Sequence, residues 1–237
     1  MTTTKIEQPR VVSETDWLAE RKRLLVKEKE LTRLGDQLSA EKRKLPWVKV
    51  EKDYVFDGPE GKQSLTELFA GRSQLIVYHF MFGPDWEEGC PVCSMAADNF
   101  DRNAAHLAQR DVTLVVVSRA RLAQIEVFRK RMGWKFKWLS SYDTDFNHDY
   151  RVSFTGDDIA EGNYYNFGTS GFGSEEAGGL SVFYRDGTGT LFHTCSCYAR
   201  GVEFLLGPYS YLDLVPKGRD ESGLPFTMAW VRHHDRY

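Results

Sequence analysis

The sequence predicts an α/β fold with a mixed central sheet, preceded by a long N-terminal helix and followed by a C-terminal tail. Three observations predict it. Residues 74–80 read Gln-Leu-Ile-Val-Tyr-His-Phe and residues 112–117 read Val-Thr-Leu-Val-Val-Val, two continuous apolar runs of the kind buried on both faces of a sheet. The segment between them is long enough for a helix, so the two strands are parallel and joined by a crossover. Downstream, residues 180–184, the turn Asp186-Gly187-Thr188-Gly189 and residues 191–198 form a hairpin, which adds an antiparallel pair.

The elements follow in order. Residues 1–12 are polar and expected to fray. Residues 15–43 read as one helix in which Trp17, Leu24, Leu31 and Leu38 recur every seven residues, with Leu34 beside them and Lys, Arg and Glu elsewhere. Such a stripe needs a partner surface, either the chain's own domain or a second copy. Pro46 closes this helix. Residues 48–56 read as a strand, and Ser64-Leu65-Thr66-Glu67 fits a capping box opening a short helix that Gly71 ends. A helix is expected from Cys90 to about Ala108, another over 122–132, and a short strand over 138–141. Residues 154–179 are polar and glycine-rich and read as a long loop or lid. A final helical stretch over 202–214 is expected to break at Gly207-Pro208. The domain boundaries drawn from this are 1–44, 45–215 and 216–237.

Composition narrows the function classes. Of 237 residues, 41% are apolar, enough for a full core, and the net charge of −3 gives no basic footprint for nucleic acid. No apolar run is long enough to span a bilayer, and the first residues lack a secretory stretch, so a cytoplasmic protein with no membrane partner is expected. Four cysteines are too few to staple a chain of this length. Their spacing, Cys90-x-x-Cys93 and Cys195-x-Cys197, is more informative.

Cys90 occupies the N-cap of the predicted helix and Pro91 its first position, where proline is favoured. Free N–H groups and the helix dipole there stabilise a thiolate, the nucleophile of disulfide exchange. Cys93 follows one turn later, deeper in the helix. It is placed to resolve a mixed disulfide formed at Cys90. Glu87 and Glu88 oppose this if they point inward. Half of a zinc site is the competing reading of the pair, weakened by the lack of a second Cys-x-x-Cys.

The run Tyr78-His79-Phe80-Met81-Phe82-Gly83-Pro84-Asp85-Trp86-Glu87-Glu88-Gly89-Cys90-Pro91-Val92-Cys93-Ser94 resembles a bacterial family of unknown function, classed as predicted dithiol-disulfide oxidoreductases of the thioredoxin-like superfamily. Val117-Ser118-Arg119-Ala120, Met132-Gly133-Trp134, the stretch Gly179 to Tyr184, Tyr198-Ala199-Arg200-Gly201 and the stretch Trp230 to Asp235 extend the resemblance over residues 45–237. It implies a thioredoxin-like fold and a disulfide-bearing protein or small-molecule thiol as partner, with no cofactor. Thioredoxins place a cis-proline before the first hairpin strand. Here Ala177-Gly178-Gly179-Leu180-Ser181 has none, so a trans peptide is expected. A peroxidase of the same fold needs a Thr-x-x-Cys pattern that Pro84-Asp85-Trp86 does not supply.

The remaining candidates are weaker. His193, Cys195 and Cys197 are expected to share one face of the last strand. In the thioredoxin order that the resemblance implies, this is an edge strand parallel to the one before Cys90 with a single strand between, roughly 10 Å away, too far for a direct disulfide. Buried thiols, a second redox pair and a copper or zinc site with His193 are the three readings, and metal is not expected to be required. His79 is either a core histidine or a proton carrier near Cys90. Arg119 and Arg200 follow strands and are expected at the active end of the sheet, as carboxylate or thiolate partners. Trp86, Arg200 and Tyr198, all in the matched motifs, are the candidate substrate contacts. A metal-binding protein and a partner-binding scaffold remain as alternatives.

Overall fold

The computed structural model describes residues 9–169 and 171–237. The expected fraying therefore falls partly on residues 1–8, outside the described residues. Helix α1 (Glu14–Lys42) opens at Ser13, whose side chain accepts from the Asp16 N–H at 3.2 Å. None of its residues is buried. The reading of α1 as a strap on its own domain is thereby overturned.

The expected strand over 48–56 is two strands, β1 (Val48–Lys49) and β2 (Val55–Gly58), at opposite ends of the sheet. The polar residues between them carry the chain across: Lys52 pairs with Asp145 and Asp149, and the Tyr54 hydroxyl donates to Asp149 at 2.7 Å. β3 (Gly61–Ser64) pairs with β2, and the Ser64–Glu67 capping contacts open a 3-10 turn rather than an α-helix.

The core follows in the expected order. β4 (Gln74–His79) leads to α2 (Pro91–Ala97) and α3 (Phe100–Ala108), two helices where one was expected. At the break between them, Asp98 accepts from Trp134 Nε1 at 2.9 Å and contacts His234 at 2.6 Å. Then come β5 (Val112–Ser118), α4 (Leu122–Arg131), β6 (Trp138–Ser140) and α5 (Phe146–Asp149). The lid segment holds α6 (Gly156–Glu161), β7 (Tyr164–Tyr165) and β8 (Gly168–Thr169). The hairpin is β9 (Gly179–Arg185) and β10 (Leu191–Tyr198). A 3-10 segment and α7 (Gly207–Leu212) follow, so the expected break falls just before Gly207.

The eight-stranded sheet has the order β1-β10-β9-β4-β5-β6-β2-β3. β4 and β5 are parallel, β9 is antiparallel to β4, and β10 is antiparallel to β9. The unit β10-β9-β4-β5, with a helix starting at the end of β4, is the thioredoxin-like arrangement. Alternation along β4 divides the core. Tyr78, Phe80 and Phe82 pack with α2, α4 and the C-terminal residues, whereas Leu75 and Val77 pack on the other face with Phe56, Leu68 and Phe146.

Candidate redox site at the end of β4

The loop between β4 and α2 is held from several sides. The Cys90 N–H donates to Met81 O at 3.0 Å, and Gln124 donates to the carbonyls of Pro84 and Trp86. The chain's end clasps the same loop. Arg131 donates to His233 Nδ1, so His233 is protonated at Nε2 and donates to Gly89 O at 2.8 Å. Glu88 turns outward to Arg131 and Arg236, both within 2.8 Å, and leaves the thiols alone. Gly89 has no room for a side chain: a Cβ there would lie 2.5 Å from the Phe80 ring.

Cys90 is the N-cap of α2, in an extended backbone conformation, with Pro91 at the first helical position. The helix has only seven residues, so local groups rather than a long dipole act on the sulfur. A hydrogen bond with the Cys93 thiol holds the Cys90 thiol down to about 7, and the N–H groups of Cys93 and Val92 add to this against the opposing effect of burial. Cys93 is 4% exposed. Its thiol is pushed well up, first because it bonds the Cys90 sulfur and then because it is buried.

Three neighbours of Cys93 were not assigned from the sequence. The Tyr78 hydroxyl hydrogen-bonds its sulfur, and burial with the sulfur's charge keeps Tyr78 protonated. Alternation beside His79 is the signal that could have found it. Gly178 lies just before β9, in the stretch where the sequence lacks the cis-proline of thioredoxins. No peptide among the described residues is cis, and a Cβ on Gly178 would lie 3.8 Å from Cys93 Sγ. Tyr165, from the lid, donates to Gly178 O at 2.7 Å and accepts from the Ala199 N–H. Nothing local in the sequence marks it.

The other candidates are placed as follows. His79 is turned to the opposite face from Tyr78, 1% exposed. Its Nε2 meets Ser181 Oγ at 2.8 Å, the first step of a chain through Ser196 to His193. Burial, then His193, pushes it down to about 3, and no contact joins it to the dithiol. Arg119 follows β5 as expected but pairs with Glu176 at 3.1 Å. Glu176 is itself 2% exposed, accepts from Ser153 at 2.6 Å, and is pushed up to about 7 by burial. Arg200 is a surface side chain paired with Glu203. The Tyr198 hydroxyl donates to Tyr150 O at 2.9 Å, and its ring packs on Gly179 in the core beneath the lid. Trp86 packs over Gly83 in the loop before Cys90, half-buried. His234 and Asp235 contact Asp98 and Arg131 respectively, so with His233 on Gly89 the three do not converge.

The second thiol pair corrects another expectation. A bulge lies between His193, opposite Phe183, and Cys195, opposite Val182. The extra residue rotates the strand, so His193 faces Tyr150 and Phe183 while Cys195 and Cys197 line the other face with Ile76 and Val182. His193, Cys195 and Cys197 therefore do not form one ligand set, and no cluster of three or more His, Cys, Asp or Glu suited to a metal occurs among the described residues. Cys197 pairs with Leu180, which pairs with Tyr78, so one strand separates the two thiol pairs as expected. Burial, then Cys197, raises the Cys195 thiol above its ordinary value.

Comparison with known proteins adds the following. No curated protein matches the sequence. Solved structures similar to part of the chain include peroxidoxin BcpB from Mycobacterium tuberculosis, 12% identical, covering 69% of this chain and 94% of that one with a TM-score of 0.47. Others are Xanthomonas campestris peroxiredoxin Q, at 12%, 68%, 90% and 0.46 in the same order, and Plasmodium vivax 2-Cys peroxiredoxin, at 14%, 72%, 96% and 0.42. No helix among the described residues is long and apolar enough to cross a membrane. The family model described as bacterial protein of unknown function (DUF899) matches residues 6–237, and the chain belongs to that family.

Proposed function

We propose that this protein is a thiol-disulfide oxidoreductase of the cytoplasm, acting through Cys90 and Cys93 on a disulfide carried by a protein or a small thiol. One observation carries the reading: Cys90 stands half-buried at the N-cap of α2 with Pro91 after it, and Cys93 lies buried one turn on; with this goes a first thiol held down to about 7 and a second pushed well up. That asymmetry divides attack from resolution.

The cycle balances as follows. The Cys90 thiolate attacks one sulfur of the substrate disulfide, forming a mixed disulfide and releasing the other sulfur as a thiolate. Cys93 loses its proton to that leaving thiolate or to water. It then attacks the Cys90 sulfur and releases the second substrate thiol. Two electrons pass to the substrate, and Cys90 and Cys93 become a disulfide that an external thiol reductant returns to the dithiol. Tyr78 holds the Cys93 sulfur in place, and Trp86, packed over Gly83 in the loop before Cys90, is the apolar contact offered to substrate. Arg119, paired with Glu176 of the 154–179 segment, acts as a positioning group for that segment. A homodimer formed through α1 belongs to the same proposal, supported by the 29-residue helix none of whose side chains is buried.

Trapping tests the cycle. Cys93→Ser incubated with a peptide disulfide is expected to accumulate a mixed disulfide on Cys90, seen by peptide mass mapping. An adduct on Cys195 or Cys197 instead, or none, overturns the reading.

A further inference from the structure

Two uncovered apolar surfaces of this chain meet at one point. The first is the stripe of α1, where Trp17, Leu24, Leu31, Leu34 and Leu38 face solvent, Leu31 at 70% exposure. The second is a groove of about 760 Å³ on the sheet face that carries Tyr78. Its floor is Ile76, Leu114 and Val182, Cys195 and Cys197 run along its edge, and Phe204 forms part of its wall. Lys42, the last residue of α1, stands at its mouth.

The chain leaves α1 in a fixed place. Trp47 packs on Tyr184 and Phe192 with ring centroids 5.0 and 5.7 Å apart, and the Lys44 and Leu45 N–H groups close the last turn onto Glu41 and Lys42. From that anchor α1 runs outward with no side chain buried, so its stripe does not reach its own groove. A helix this exposed is marginal without a partner surface.

We propose that the groove is filled by α1 of a second copy, each copy lending its helix to the other about a two-fold axis. This rests on the association through α1 proposed above and assigns where that helix lands. Reciprocal exchange closes the assembly, because both copies use the same helix and the same groove. The size is sufficient. Five stripe side chains at on the order of 100 Å² each, doubled for the groove surface and again for the second copy, reach about 2,000 Å², the upper end of a standard stable interface. One consequence is chemical. The partner's helix covers Cys195 and Cys197 and leaves Cys90, which does not line the groove, open.

The test uses the full-length reduced protein, with sedimentation for mass and timed alkylation with mass mapping for Cys195 and Cys197. The wild type is expected at twice 27.2 kDa. The double variant Leu24→Glu/Leu31→Glu changes exposed helix positions, and Phe204→Glu changes a groove-wall side chain that is 70% exposed, so neither disturbs the core. Both are expected to weaken association at least about tenfold and to speed alkylation of Cys195 and Cys197 about tenfold, with disulfide exchange at Cys90 unchanged. A monomeric wild type at micromolar concentration overturns the association and the groove together. A dimer that the α1 variant breaks but Phe204→Glu leaves intact, with Cys195 and Cys197 labelling equally fast in dimer and monomer, overturns the groove alone.

Discussion

Cys90–Cys93 and Cys195–Cys197 are the same chemical groups on the same side of one sheet, with a single strand between, yet their surroundings give them opposite character. Cys90 ends a loop at the start of a helix, where backbone N–H groups have no carbonyl partner and turn toward the sulfur. Cys195 lies within a strand whose N–H groups are committed sideways to the ladder with β9. Its thiol stands off the sheet beside another thiol, and both burial and that neighbour disfavour a thiolate. Spacing in the sequence does not make a dithiol reactive; the backbone beneath it does.

The largest expected effect separates the pairs outright. Cys90→Ser abolishes disulfide exchange, on the order of 10³-fold or more, as loss of an attacking nucleophile does. Cys195→Ser and Cys197→Ser leave the rate within about twofold, well below the roughly tenfold that marks 1.4 kcal/mol of barrier. Insulin or model-peptide disulfide reduction checks both, and an equal loss in Cys195→Ser would erase the distinction. The next effect tests the loop that delivers Cys90. Gly89→Ala forces the Phe80 ring aside and is expected to destabilise the protein by about 1–3 kcal/mol in denaturant unfolding, with slower exchange. Wild-type stability and rate would show that the loop simply shifts.

A third effect concerns Glu176, whose carboxyl is raised to about 7 in the folded protein against 4.5 ordinarily. The folded state therefore holds the Glu176 proton where the unfolded one has lost it, and this group's contribution to stability falls as pH rises through that window. Relative to Glu176→Gln, the wild type is expected to lose on the order of 1–3 kcal/mol from pH 4.5 to 7.5, the opposite contribution of buried histidines such as His79 being common to both proteins. Parallel stability curves for the two proteins would contradict this. The smallest effect is Tyr78→Phe. Losing one hydrogen bond to the Cys93 sulfur should slow release of the mixed disulfide by a factor of about 3–10 and leave attack by Cys90 unchanged. Slowing of the first step instead would reassign Tyr78.

Much of the core arrangement was legible because it is written in contiguous residues. The apolar runs of β4 and β5, the turn Asp186-Gly187-Thr188-Gly189 and the Cys90-Pro91 helix start are local signals. The misreadings were long-range or hidden by one extra residue. Residues 48–56 read as one strand, yet Lys52 and Tyr54 bind acids almost a hundred positions later and draw the chain across the sheet. Counting alternate residues put His193 with Cys195, and the bulge between them moved it to the other face. Tyr165 and Glu176 come from a glycine-rich stretch whose path is set by partners such as Gly178, Ser153 and Arg119. Proximity in sequence points His79 to the dithiol and a place after β5 points Arg119 there, but the first lies on the far face and the second is held by Glu176.

Competitive alkylation of the reduced protein across pH 6–10, with all four cysteines mapped by mass spectrometry, tests the central claim most directly. Cys90 is expected to label first at pH 7, its rate rising with an inflection near 7, with Cys93 last and Cys195 rising only above the ordinary thiol range. An inflection for Cys90 at 9 or higher, at a rate no greater than that of Cys195, would contradict the account.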